Sequence, residues 1–342
     1  MSMKVLVTGS AGFVGGYVVA ELLSAGHEVT GLDNYSKYGR ITRSFDAHPL
    51  YHAVEGDAKD IDLLRSLIQP CDHFVAGAAM IGGISYFHQY AYDLLAENER
   101  ITAAAFDAAI WAHTQKRLKK ITVLSSSMVF ENVDEFPTPE GAQLRCPPPF
   151  STYGFQKLAT EYYCKGGWEQ YRLPYTILRP FNCVGIGETR AVSSEPPGAG
   201  NISLAMSHVV PDLVQKVLRG QDPLHILGTG DQVRHYTYGG DLAKGVRLAI
   251  ESPLATNEDF NLSTETPTTV MELARLIWQK IHGEARPFRV IHDPPYPHDV
   301  QMRVPAVRKA KEVLGFTATT SLETVLDEVI PWIRTELEKG RI

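Results

Sequence analysis

The stretch Thr8-Gly9-Ser10-Ala11-Gly12-Phe13-Val14-Gly15 joins an apolar, β-branched run, Lys4–Thr8, to a segment of helical periodicity. Glycines at these places permit a tight turn and let backbone N–H groups approach a pyrophosphate. The N-terminus of the following helix adds a dipole that favours an anion. The stretch therefore reads as a dinucleotide cradle formed by Gly9, Gly12, Phe13, Val14 and Gly15. A glycine triplet alone is weak; its setting between a strand and a helix gives it weight. A plain tight turn is the alternative.

Working outward, Val14, Val18, Leu22 and Leu23 share one face of a helix over 13–25, which Gly26 ends. A strand follows at 27–32 and ends beside Asp33, about twenty residues past the turn. A carboxylate there accepts from both ribose hydroxyls and repels a 2′-phosphate, favouring NAD over NADP. A turn or capping aspartate is the other reading. Strands at 50–54, 73–75, 121–124 and 175–178 alternate with helices at 61–68, 93–117 and 153–171. Such alternation implies right-handed crossovers and a parallel sheet covered on both faces. The expected fold is α/β, a Rossmann-type doubly wound parallel sheet with a smaller, irregular C-terminal substrate domain.

The pattern loosens after Arg179. Residues 188–202 are rich in Gly, Pro and Ser and read as a long functional loop. Helices are expected at 203–219, 268–281 and 321–338, and the proline-rich 291–305 as irregular. The division expected is a cofactor domain over 1–180, with a returning segment at about 231–260. Residues 181–230 and 261–342 would form the substrate domain.

The 342 residues are 44% hydrophobic and 21% charged, ordinary for a globular chain, with a net charge of −6. That charge argues against a nucleic-acid partner. No apolar run reaches the roughly 18–20 residues of a membrane span. The N-terminal residues do not resemble a secretory leader, so a cytoplasmic protein without a membrane partner is expected. Cys71, Cys146, Cys164 and Cys183 lack CxxC spacing and read as reduced thiols, and no metal site is expected.

Tyr153-Gly154-Phe155-Gln156-Lys157 places a phenol and an ammonium at i and i+4 on one helical face. Ser125-Ser126-Ser127 follows a strand about 27 residues upstream. An ammonium and a positively charged nicotinamide would lower the phenol's pKa toward neutrality. The phenolate could then take a proton from a sugar hydroxyl while hydride leaves the same carbon. A serine hydroxyl beside it would share that hydrogen bond. An ordinary amphipathic helix is the competing reading.

Together these pieces resemble the extended short-chain dehydrogenase/reductase family, specifically its NAD-dependent nucleotide-sugar epimerases and dehydratases. Thr8–Gly15 resembles TGxxGxxG. Ser125-Ser126-Ser127-Met128-Val129-Phe130 resembles SSxxVY, which makes Ser126 the catalytic hydroxyl beside Tyr153 and Lys157. The resemblance implies that Asn98 supports the lysine through water. It also implies Asn34, Asp57, Ala58 and Ala78 as further cofactor contacts. Arg179-Pro180-Phe181-Asn182 resembles RxxN, whose asparagine touches a sugar diphosphate. Gly228–Arg234 resembles GxGxQxR, whose arginine grips it. The helices at about 93–117 and 153–171 would form the four-helix interface of a homodimer.

Three departures narrow the reading. Ala76 replaces the usual histidine after the fourth strand, and His235 an aspartate. Tyr296-Pro297-His298-Asp299 stands where an RPGD-like segment is common, so Asp299 is retained but one phosphate arginine is absent. Arg190 or Arg303 is the expected substitute. After Ser126 come Ser127 and Met128, both expected at the sugar. Dehydratases of the family use Asp-Glu there, decarboxylases a glutamate, and 3,5-epimerases a cysteine. The remaining chemistry needs only Ser, Tyr, Lys and NAD: C4 epimerisation of a nucleotide-diphosphate sugar through a 4-keto intermediate. A 4-keto reductase, a dehydratase supplied with an acid from elsewhere, and a non-catalytic NAD-binding module are the alternatives.

Overall fold

The computed structural model describes residues 2–81, 90–188, 208–295 and 300–340. Its centre is a seven-stranded parallel sheet. The first six strands in sequence are β1 Lys4–Thr8, β2 Glu28–Asp33, β3 Tyr51–Glu55, β4 His73–Ala76, β5 Lys120–Leu124 and β6 Tyr175–Pro180. A seventh, Glu258–Leu262, lies outside β6, and the spatial order is 258–262, β6, β5, β4, β1, β2, β3. The chain reverses direction across the sheet between β1 and β4, the place where doubly wound folds open a crevice for ligands. The fold expected from the sequence is the fold observed.

Each face of the sheet carries its own core. On one side Val18, Val19 and Leu22 of the Phe13–Ser24 helix meet Leu242, Val246 and Ala249 of the Gly239–Glu251 helix. Ala310, Leu314 and Phe316 join this side from the C-terminal part of the chain. On the other side helices Ile61–Ile68, Ala91–Thr114 and Thr152–Tyr171 cover the strands. The middle helix uses Ala104, Ala105, Ala108, Ala109 and Ala112 there, small residues that permit close approach to the sheet. A third core lies beyond the sheet, among helices Val209–Leu218, Val270–His282 and Leu322–Glu338.

One element corrects the sequence reading, and one expected helix is described over part of its range. The run 291–305 is not irregular throughout: Val290–Asp293 is a strand that pairs in parallel with Leu224–Leu227. Of the helix expected at 203–219, Val209–Leu218 is helical as expected, and residues 203–207 lie outside the described residues. No described helix is long and apolar enough to cross a membrane, and the four cysteines are free thiols.

Candidate active site

The glycine turn is sterically committed. Gly9 has φ +74°, and a Cβ on it would lie 2.9 Å from Ala78 Cα. A Cβ on Gly15 would lie 1.9 Å from Gly9 O, so the third residue of the Phe13–Ser24 helix must be a glycine. The Thr8 hydroxyl accepts from the N–H groups of Gly77 and Ala78, both at 3.2 Å, and so ties β1 to the end of β4 across the switch point. Thr8 opens the TGxxGxxG-like stretch, and this pair of hydrogen bonds gives its hydroxyl a structural role.

Asp33 ends β2 beside this turn. Its Oδ2 accepts from Ala11 N at 3.0 Å and its Oδ1 from Tyr35 N at 2.8 Å. Each oxygen thus holds one N–H of the turn and keeps further acceptor capacity for a ribose hydroxyl. Exposed Asn34 forms its own turn, Oδ1 accepting from Ser36 N at 3.1 Å. Asp57 does likewise with Lys59 N at 2.9 Å. Ala58, Ala78, Asn98 and Lys157 line one cavity together with Thr8 and Leu124. Asn98 is buried and clamps the backbone of Met80 twice, at 2.7 and 2.8 Å. These glycines, the acidic strand end and the cavity at the crevice fit a dinucleotide.

Ser126, Tyr153 and Lys157 come together at the ends of β5 and the Thr152–Tyr171 helix. Ser151 caps that helix, its hydroxyl accepting from Gly154 N at 3.1 Å, which fixes Tyr153 in the first turn. Gly154 is required by close approach: a Cβ there would lie 2.8 Å from Met128 O. Ser126 Oγ accepts from Met128 N at 3.1 Å and hydrogen-bonds the Tyr153 phenol. Lys157 Nζ donates to Leu124 O at 3.0 Å and lies 5.9 Å from the centre of the Tyr153 ring. Burial pushes the phenol up to about 12, against the pull of the Ser126 hydrogen bond and the Arg303 charge. Burial holds the Lys157 ammonium down to about 8.

Beneath this group lies a buried ionic support in which the arginine of the RxxN-like segment meets two carboxylates that no motif named. Arg179 is fully buried and grips Glu161 with two hydrogen bonds, at 2.7 and 2.8 Å, while Nη1 meets Asp259 at 2.7 Å. Ser125 Oγ donates to the same Glu161 at 2.7 Å. The serine loop, the tyrosine helix and the outer strands therefore share one anchor. A buried pair satisfied in this way fixes geometry more than it adds stability.

The residues expected at a diphosphate are placed less uniformly. Asn182 has φ +35°, its carbonyl accepts from Thr237 N at 3.1 Å, and its amide reaches His235 O at 3.5 Å. Arg234 donates to Val233 O at 2.9 Å. Arg303 approaches from the segment after residue 300: its N–H donates to Val233 O, and its Nη2 lies 2.7 Å from Met128 Sδ. Ser127 and Met128 are buried in the turn that Ser126 caps. Arg190 and Asp299 lie outside the described residues.

A glycine-cradled crevice with a Ser-Tyr-Lys group at its inner end defines a class, and similarity to known proteins gives the class its family. Residues 5–263 match the profile of the NAD dependent epimerase/dehydratase family, and the chain belongs to that family. It is 28% identical to a UDP-N-acetyl-alpha-D-glucosaminuronate decarboxylase of Bacillus cytotoxicus, over 98% of each chain. It is 28% identical to a UDP-glucose 4-epimerase of Corynebacterium glutamicum, over 95% of this chain and 94% of the relative. The UDP-glucose 4-epimerase of Thermotoga maritima, solved with UDP-glucose, superposes with a TM-score of 0.78 at 29% identity, over 98% of this chain and 100% of that one. The protein is an enzyme of this family, and NAD is its cofactor.

Proposed function

We propose that the enzyme is a nucleotide-diphosphate-sugar epimerase that inverts C4 through a 4-keto intermediate. One observation carries this reading. Ser126, Tyr153 and Lys157 are assembled, while the two positions after Ser126 hold Ser127 and Met128, which offer no acid for eliminating water. Bound NAD supplies a reversible hydride acceptor for C4. Tyr153 takes the proton of the C4 hydroxyl and later returns it. Ser126 shares that hydrogen bond, and Lys157, charged, holds the phenolate. Arg234 and Asn182 hold the diphosphate, and the sequence assigns Arg190 and Asp299 to the substrate as well. Residues 1–180, with the segment at about 231–260, serve the cofactor, and 181–230 with 261–342 serve the sugar nucleotide.

A second reading, decarboxylation of a nucleotide hexuronate after the same oxidation, draws on Arg303. Its guanidinium beside Met128 and Tyr153 suits a sugar carboxylate. Incubation with neutral and carboxylated UDP-sugars, followed by proton NMR, separates the two. A C4 epimer with NAD retained and no carbon dioxide supports the first; a pentose product overturns it.

A further inference from the structure

The residues set out above for the cofactor include no cation near the glycine turn, although a dinucleotide brings two phosphate charges there. The fold supplies one from the connection between β2 and β3. Arg43 Nη2 donates to the carbonyls of Ala11 and Gly12, at 2.7 and 3.3 Å, in the middle of the turn. Its guanidinium carbon lies 3.4 Å from where a Cβ on Gly16 would stand, so it rests on the first turn of the Phe13–Ser24 helix. On its other side, Nη1 lies 2.8 Å from the Cβ position of Gly187, a residue with φ +101°. The 183–188 segment is held there independently, because Ile186 N donates to the Tyr17 hydroxyl at 2.9 Å. Tyr17 itself fills the room left by the absent side chains of Gly185 and Gly239. Arg43 is seated from below, its N–H donating to Asp46 Oδ2 at 2.7 Å. Its Nε–H is buried and has no partner.

A guanidinium carries five donors in a fixed fork. One that spends Nη2 on the phosphate turn's own carbonyls, and keeps a buried Nε–H unsatisfied beside that turn, has a donor left for an anion. We propose that Arg43 is a cofactor-retention residue, its guanidinium locking the glycine turn and binding the pyrophosphate of NAD beneath the 183–188 segment. The role is independent of the reaction catalysed.

The test uses the full-length holoenzyme and the variants Arg43→Ala and Arg43→Lys. NAD content after gel filtration and the NADH dissociation rate by displacement are measured, with the melting temperature of the NAD-free protein alongside. Arg43→Ala should release NADH about tenfold faster or more, and Arg43→Lys, lacking the fork, should fall between. A dissociation rate within about twofold of the parent, whatever the melting temperature, overturns the proposal and leaves Arg43 a strut. Loss of NADP binding with NAD binding unchanged also overturns it, since the guanidinium would then serve a 2′-phosphate. Should Arg43→Ala not fold, Arg43→Lys carries the same decision on the rate alone.

Discussion

The guanidinium of Arg303 rests on the thioether of Met128, Nη2 2.7 Å from Sδ, and its charge reaches the Tyr153 phenol. Met128 occupies a position where related reactions call for an ionisable side chain. Here the charge at that place is positive and comes from a different part of the chain. Arg303 is held by its backbone on Val233, next to Arg234. Replacing Arg303 with alanine should raise the KM for the sugar nucleotide by about 10–100-fold, the loss of a charged hydrogen bond. The loss should be larger for a carboxylated sugar than for a neutral one, with NAD content unchanged. Steady-state kinetics on a matched pair of UDP-sugars measures the ratio; equal losses would remove the sugar carboxylate from Arg303.

Tyr153→Phe removes the phenol while keeping its ring among Leu94 and Met128. Turnover should fall by roughly 10²–10⁴-fold, the usual weight of a general base. Ser126→Ala should cost less, because Ser126 shares the hydrogen bond and also caps the 127–130 turn. Met128→Leu should be close to silent, since Met128 packs and does not titrate. A dead Met128→Leu enzyme beside an active Tyr153→Phe enzyme would reverse these roles.

Much of this arrangement is legible in the sequence because its residues sit at fixed offsets on regular elements. β1, β2, β4, β5 and β6 are short, mostly buried runs, and parallel strands covered on both faces are apolar, while β3 is the more exposed edge strand. The seventh strand, Glu258–Leu262, escaped because its polar residues are used inside: Asp259 meets Arg179, and Asn261 donates to Thr138 O and Ala306 O. The Gly239–Glu251 helix was hidden by its two opening glycines, the first of which makes room for Tyr17. Ser126, Tyr153 and Lys157 were readable as a motif. Arg43 and the seat of Arg303 were not, because both depend on where irregular connections cross the crevice.

Lys157 gives the NAD-free protein a pH-dependent stability with a definite sign. Burial lowers its folded pKa to about 8, below the ordinary lysine value. Between those two values the unfolded chain binds more protons, so stability rises with pH across that window. Below about 8 the buried ammonium is a constant cost. Each unit of displacement corresponds to ~1.4 kcal/mol. Urea unfolding of the NAD-free parent and of Lys157→Met, from about pH 7 to pH 10, isolates this group. The parent should gain on the variant as pH rises. Parallel curves would mean that Lys157 titrates alike in both states.

The last expectation concerns assembly. Tyr92 on the Ala91–Thr114 helix is 76% exposed, and Phe155 and Tyr162 on the Thr152–Tyr171 helix are 47% and 57% exposed. Phe155 and Tyr162 stand seven residues apart, two helical turns, and so share a face. These two helices already cover the sheet with their other sides, through Ala104, Ala105 and Cys164 among others. Aromatic rings bury on the order of 150–250 Å² each when covered, so leaving three in water on adjacent helices is costly. We propose that a second copy covers them, giving a four-helix contact about a twofold axis. Light scattering at micromolar concentration should report a dimer, and Phe155→Glu with Tyr162→Glu should return a folded monomer that still retains NAD. A parent that is already monomeric under those conditions would leave the aromatic face for another partner and end the dimer reading.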